Sequence, residues 1–238
     1  MNASEAPYVI QQATEDQRPA ITGMYTSAYQ ISMCAAHHQV LQPYWPDLNW
    51  DRFPRPLCGT TPNNRPYATW AACSKTNPQE IRGVIHTRMT SPTVSTFYFL
   101  YIDPKYKDQG IGTNLMIHGF NWLIGHGART MTADIEPAPE KFRWIKFLSR
   151  KGAIATATQF RPVTKTLLSK EMPEPVVLPW TNIEFDDLPG LVMRLRGEKP
   201  DLTIDEGSLD RYMNSSGSRI EDFRVFATAV FANRRVRK

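Results

Sequence analysis

The sequence predicts a mixed α/β domain occupying most of the chain, and three observations carry that reading. Segments of strand character alternate with segments of helical spacing from Tyr8 to Leu168. An apolar, aromatic run at Phe97–Asp103 ends in Asp103-Pro104, and a charged loop, two glycines and a helical pattern follow at once. The chain has 238 residues, 41% of them hydrophobic, which is enough for one large domain or one and a half.

The elements follow in order. Tyr8–Gln12 is short and apolar and reads as a first strand. Thr14 or Asp16 is placed to cap a helix over Gln17–Tyr29. Residues 30–66 hold His37, His38, Tyr44, Trp45, Trp50 and Phe53 among Pro43, Pro46, Pro54, Pro56 and Pro62, too many prolines for long regular structure past Leu41. This segment is expected to form a loop on the substrate side. Tyr67–Ser74 and Glu80–Met89 read as a hairpin around Lys75–Gln79, with Phe97–Asp103 as the next strand. Helical spacing runs over Asn114–Gly125 and ends at Gly125 or Gly127. A strand at Thr130–Ile135, a helix at Glu140–Lys151 stopped by Gly152, and a strand pair at Ala153–Phe160 and Val163–Leu168 complete the series.

The chemistry concentrates in Lys107-Asp108-Gln109-Gly110-Ile111-Gly112-Thr113. A strand, a glycine loop and a helix N-terminus in that order make a place to hold phosphate. The first N–H groups of a helix have no partner within it, and the positive end of the dipole faces them. Glycines let the backbone approach a ligand and take positive φ. The spacing is not a P-loop, because no Gly-Lys-Ser/Thr closes it. It is not GxGxxG either, because Asn114-Leu115 follows Gly112-Thr113.

This stretch resembles the acyl-CoA-binding motif of the GNAT acetyltransferase superfamily, Arg/Gln-x-x-Gly-x-Gly/Ala after a strand, with Lys107 in the Arg/Gln place. The resemblance covers residues 8–169 and implies a mixed, mostly antiparallel sheet flanked by helices, its central strands splayed into a V for the pantetheine arm. It implies a GNAT domain over 1–170. A Pro-rich linker over 171–181 and a C-terminal segment over 182–238, read as a truncated half-repeat or an unrelated helical cover, are expected after it.

The function implied is transfer of an acetyl or acyl group from acetyl-CoA to an amine by direct attack on the thioester. Lys107, Asp108, Gln109, Gly110, Ile111, Gly112 and Thr113 would hold the pyrophosphate. Leu100, Tyr101 and Ile102 would offer backbone groups to the pantetheine amides. Strand alternation puts Phe97, Phe99 and Tyr101 on one face and Tyr98, Leu100 and Ile102 on the other. Transfer also calls for a base to take the amine proton and an acid for the departing thiolate. Glu136, just past a strand end, is a candidate base, equally readable as an exposed strand-end residue. His86 is a second candidate, and a lone strand histidine is more often structural. His37 and His38 carry a similar discount. Where many members of the superfamily carry a Tyr acid, this chain has Leu148, with Ser149 as a weak substitute. A non-catalytic CoA-binding or regulatory protein on the same scaffold is therefore the alternative.

Composition narrows the rest. No run of eighteen apolar residues is present, so no membrane span or membrane partner is expected. The N-terminal residues lack a basic region followed by an apolar one, and no signal peptide is expected. Cys34, Cys58 and Cys73 fit neither a disulfide framework nor a zinc site, so no metal and a cytoplasmic location are expected. Net charge is +5, part of it in Arg234–Lys238. No interleaving of basic and aromatic residues accompanies it, and nucleic acid is not the expected partner. The acceptor would be an amine on a small molecule or a protein, and a homodimer is left open.

Overall fold

A computed structural model describes residues 6–24, 57–135, 141–162 and 177–204. The chain divides into two compact units, one of residues 1–29 and 50–131, the other of residues 30–49 and 132–238. The fold is mixed α/β, and every strand pairing whose register is described is antiparallel.

The first unit contains β1 (Tyr8–Gln12), a 3-10 turn (Glu15–Gln17), helix α1 (described over 18–24), β2 (Gly59–Thr60), β3 (Pro66–Ser74), β4 (Ile81–Met89) and β5 (Val94–Ile102). A second 3-10 turn (Pro104–Tyr106) leads to helix α2 (Ile111–Gly125). The strand order is β1-β3-β4-β5, with β2 added to β3. The β3–β4 hairpin closes through Ser74 N–H to Glu80 O at 2.9 Å and Glu80 N–H to Asn77 O at 2.9 Å. Gln17 fastens the start of α1. Its Oε1 accepts from Thr14 N–H at 3.2 Å, and its Nε2 donates to Pro78 O at 2.9 Å.

Each face of this sheet is covered by apolar side chains. Ala13, Ile21, Leu57, Ala71, Cys73, Ile81, Val84 and Phe99 form the core on one face. On the other lies α2, whose inward residues Ile111, Leu115, Met116, Phe120 and Leu123 recur at helical spacing. Gly119 lets the helix approach closely, because a Cβ there would stand 3.1 Å from Thr87 Cγ2 and 3.5 Å from Ile85 Cγ2.

In the second unit, β6 (Thr130–Ile135, begun in the first unit) is followed by α3 (Lys141–Arg150), β7 (Ile154–Pro162), β8 (Val177–Phe185) and α4 (Leu188–Leu195). Strand β8 lies between β6 and β7, and Asn182 Nδ2 donates to Asp134 Oδ1 at 2.9 Å. Ile145, Leu148, Ile183, Phe185, Leu188, Leu191 and Val192 are buried. Asp187 caps α4 by accepting from Gly190 N–H at 2.9 Å.

Several expectations from the sequence are corrected. Helix α2 begins at Ile111 rather than Asn114, because Gly110 takes the cap position. Strand β5 begins at Val94, and Asp103 lies outside it as the cap of the 3-10 turn. The partner of β7 is Val177–Phe185, so the end of the expected linker is strand, while Val163–Leu168 lies outside the described residues. Strand β2 forms where only loop was expected. The face assignment on β5 also fails past Phe97. The β4–β5 register shifts between His86, opposite Phe99, and Thr87, opposite Phe97, which leaves Tyr98 without a β4 partner. This bulge shifts the alternation by one residue. Phe97 faces α2, with its ring 5.7 Å from Phe120, whereas Phe99 joins the opposite core and stacks on Tyr101 at 6.2 Å. Tyr98 falls on that second face, 5.9 Å from the His86 ring.

Candidate active site

The candidate cofactor loop is built from the end of β5 to the first turn of α2. Asp103 Oδ1 accepts from Lys105 N–H at 3.0 Å, and Asp103 N–H donates to Arg82 O at 3.0 Å, tying the loop to β4. The Tyr106 ring is met by two cations, Arg82 Cζ at 4.8 Å and Lys105 Nζ at 4.7 Å from its centroid, and its hydroxyl donates to Glu80. These contacts fix the position from which residues 107–110 leave.

Two left-handed residues then turn the chain, Asp108 at φ 62° and Gly110 at φ 73°. Aspartate tolerates this region better than most residues, and glycine adopts it without strain. A left-handed residue followed by right-handed ones curls successive N–H groups toward one concavity, an arrangement that holds anions. The first backbone donation back into the helix is Asn114 N–H to Gly110 O at 3.0 Å. The N–H groups of Ile111, Gly112 and Thr113 therefore precede any carbonyl of their own helix. A Cβ on Gly110 would meet nothing within 4 Å, and Lys107, Asp108, Gln109 and Gly110 are exposed. The loop presents an open, donor-rich end to solvent, which fits a phosphate group. The side chain of Asn114 points elsewhere, its Nδ2 donating to Tyr8 Oη at 2.6 Å.

Leu100, Tyr101 and Ile102 lie on β5 opposite Ile85, Val84 and Gly83 of β4. Ile102 sits beneath the loop. Its Cγ1 stands 3.5 Å from where a Cβ on Gly112 would be, and its Cδ1 only 2.6 Å from one on Gly83. Burial raises the pKa of the Tyr101 phenol, with Asp103 adding to the effect.

Glu136, His37 and His38 lie outside the described residues. Ser149 belongs to α3 in the second unit and is 5% exposed. His86 is 3% exposed on β4, and its Nδ1 lies 2.8 Å from Thr69 Oγ1. The Thr69 hydroxyl donates its one proton to Leu57 O at 2.9 Å, so His86 Nδ1 carries the proton of that contact. Burial, with the positive charge of Arg88 added, holds the His86 pKa down at about 4. His86 is thus neutral at physiological pH and tied to β3.

Around His86 lies a group that sequence spacing did not single out. The Tyr67 ring is 5.9 Å from His86, and Arg88 Cζ sits 4.4 Å over the Tyr98 ring. Burial lowers the pKa of Arg88, and its buried Nε has no hydrogen-bond partner. The missed signal is the alternation Arg88–His86 on β4, with Tyr67 and Thr69 opposite on β3. Among the described residues no cluster of three His, Cys, Asp or Glu is placed to hold a metal, and no helix is long and apolar enough to cross a membrane.

An α/β unit with a left-handed glycine at the mouth of α2 occurs in several classes of protein, and comparison with known proteins narrows the class. Residues 26–143 match the acetyltransferase (GNAT) family. The chain carries a domain of that family, and acyl transfer is its general chemistry. A GCN5-related N-acetyltransferase from Rhodopseudomonas palustris has a similar fold (TM-score 0.51, 15% identity, 78% of this chain and 99% of that one). The structure of yncA from Salmonella typhimurium, solved with its cofactor acetyl-CoA, aligns at TM-score 0.47 and 15% identity over 76% of this chain and 94% of that one. No curated protein matches the sequence.

Proposed function

We propose that the protein transfers an acetyl group from acetyl-CoA to an amine, and that residues 107–113 hold the pyrophosphate. The observation that carries this is the left-handed Gly110 in front of α2. It turns the first N–H groups of the helix toward solvent at the end of β5. When bound, acetyl-CoA supplies an activated acyl group. The N–H groups of Ile111, Gly112 and Thr113 supply donors without a lysine from a P-loop. Lys107 adds positive charge at the loop, and the backbone of Leu100–Ile102 lies alongside for the amide-bearing arm. The amine must be neutral when it attacks, and Glu136 is the residue we assign to remove its proton. His86 is the weaker candidate because its pKa of about 4 leaves it a poor proton acceptor near neutrality. For the departing thiolate, Ser149 is the side-chain candidate, with solvent as the other proton source.

Calorimetric titration with acetyl-CoA, followed by thiol release across an amine panel, tests the reading. Micromolar binding and thiol release with at least one amine are expected. Binding without release on any amine would favour a CoA-binding regulatory protein. No binding would reduce Lys107–Thr113 to a turn, and the proposal would fall.

A further inference from the structure

We propose that Arg88, stacked on Tyr98 at the β5 bulge, is the anchor for a carboxylate on the acceptor, and that the preferred acceptors are amines carrying that group. This rests on the reading of the protein as an N-acyltransferase.

The two arginines of β4 differ in their surroundings. Arg82 lies 3.7 Å from the Glu80 carboxylate, donates to Ser74 Oγ at 3.3 Å and covers the Tyr106 ring. Arg88 meets no carboxylate among the described residues, and its one described contact is the Tyr98 ring. Its Nε, like that of Arg82, is buried without a hydrogen-bond partner. A guanidinium over an aromatic ring still carries N–H donors along its edge, and that fork matches the two oxygens of a carboxylate. Among the described residues its neighbours add polarity without supplying a negative charge. His86 is neutral and bound to Thr69, while the Tyr98 phenol belongs to a side chain that is 45% exposed. A cation that has lost part of its hydration and gained no counter-ion is a site that an anion completes.

The position suits an acceptor. Tyr98 is four residues before Ile102 on β5, about 13 Å at the rise of a strand. An extended pantetheine arm leaving the loop beyond Ile102 covers that reach. The bulge at Tyr98 interrupts the β4–β5 ladder at this point. Helix α2 covers one face of the sheet, and Tyr98, His86 and Arg88 lie on the other. The acceptor would approach β5 from the face that α2 does not cover.

The test compares amino acids with their carboxamides as acceptors, scored by thiol release under saturating acetyl-CoA. Alongside it, O-phosphoethanolamine is compared with ethanolamine. For the wild-type protein, kcat/KM should favour the acids over the amides by roughly ten- to a hundredfold, as for a charge-assisted pair. Arg88→Gln should erase that preference, mainly through KM, while leaving acetyl-CoA affinity and turnover of the amides within about twofold. Arg88→Lys should restore part of the preference, since it keeps the charge and loses the fork. Equal use of acids and amides by the wild type, or a preference that survives Arg88→Gln, would overturn the assignment while leaving N-acyl transfer intact. A preference confined to the phosphate pair would overturn the carboxylate. Failure of acetyl-CoA binding itself would bring down both this inference and the acyltransferase reading, so the two failures are distinguishable.

Discussion

Gly83 and Ile102 face each other across the β4–β5 ladder so closely that a Cβ on Gly83 would stand 2.6 Å from Ile102 Cδ1. The same Cβ would lie 3.0 Å from Tyr101 O and 3.2 Å from Leu115 Cδ1. Strand β4, the end of β5 and the first turns of α2 converge on a space that only glycine leaves open.

Gly83→Val should therefore act on both stability and the cofactor loop. Ile102 can rotate, but the Tyr101 carbonyl belongs to the backbone and cannot move alone. Overpacking of this kind costs about 1–3 kcal/mol. Urea denaturation should report a loss of that order, and calorimetry a weaker affinity for acetyl-CoA. An unchanged midpoint would show that β5 yields without strain.

Gly110→Asp and Gly112→Asp should both abolish acetyl-CoA binding, because each places a negative charge in the donor-rich mouth of α2. Gly110→Ala is the informative control. Its Cβ meets nothing within 4 Å, but φ of 73° is left-handed and costs an alanine about 1–2 kcal/mol. It should lower stability while leaving weakened but measurable affinity. If titration shows full affinity in both aspartate variants, the loop does not hold the phosphates.

Glu136→Gln should lower turnover and shift its pH profile while acetyl-CoA affinity stays nearly unchanged. The amide keeps the shape of the carboxylate and removes its basicity. A superimposable profile would return Glu136 to an ordinary strand-end residue.

His86 should make the fold acid-sensitive. Its folded pKa of about 4 lies below the ordinary value of 6.5. The unfolded chain therefore binds the proton more readily between those values. Stability from this group is complete above pH 6.5 and is lost as pH falls through the window toward 4. The full loss is about 3 kcal/mol at the standard conversion. Denaturation measured at steps across that range should show the decline in the wild type and a flatter curve in His86→Asn. Parallel curves would mean that His86 titrates normally.

The geometry of the candidate cofactor loop was legible because it is local. Asp103-Pro104 ends a strand, Gly110 permits a left-handed turn, and the helix follows, all within about ten residues. The start of α2 was misplaced because Ile111-Gly112-Thr113 has the composition of a loop. Only the Gly110 cap and the donation from Asn114 show that it is already helix.

Strand alternation failed at Tyr98 for a related reason. A period of two assumes an unbroken ladder, and the bulge that breaks it depends on how β4 pairs with β5 rather than on the sequence of either. Pairing also decided that Val177–Phe185 lies against β7, a partner separated from it by a proline-bearing segment in which Val163–Leu168 reads as the nearer strand.

The sequence by itself determined most of the succession of elements, the glycine loop and the basic Lys107 beside it. These depend on backbone preferences and on neighbours within a few residues. Tertiary structure alone decided which side chains meet. It brought Tyr67, Thr69, His86, Arg88 and Tyr98 together from three strands, buried the imidazole enough to neutralise it, and left Arg88 on an aromatic ring with no carboxylate partner among the described residues. Desolvation and pairing are properties of the packed sheet, and no single segment carries them.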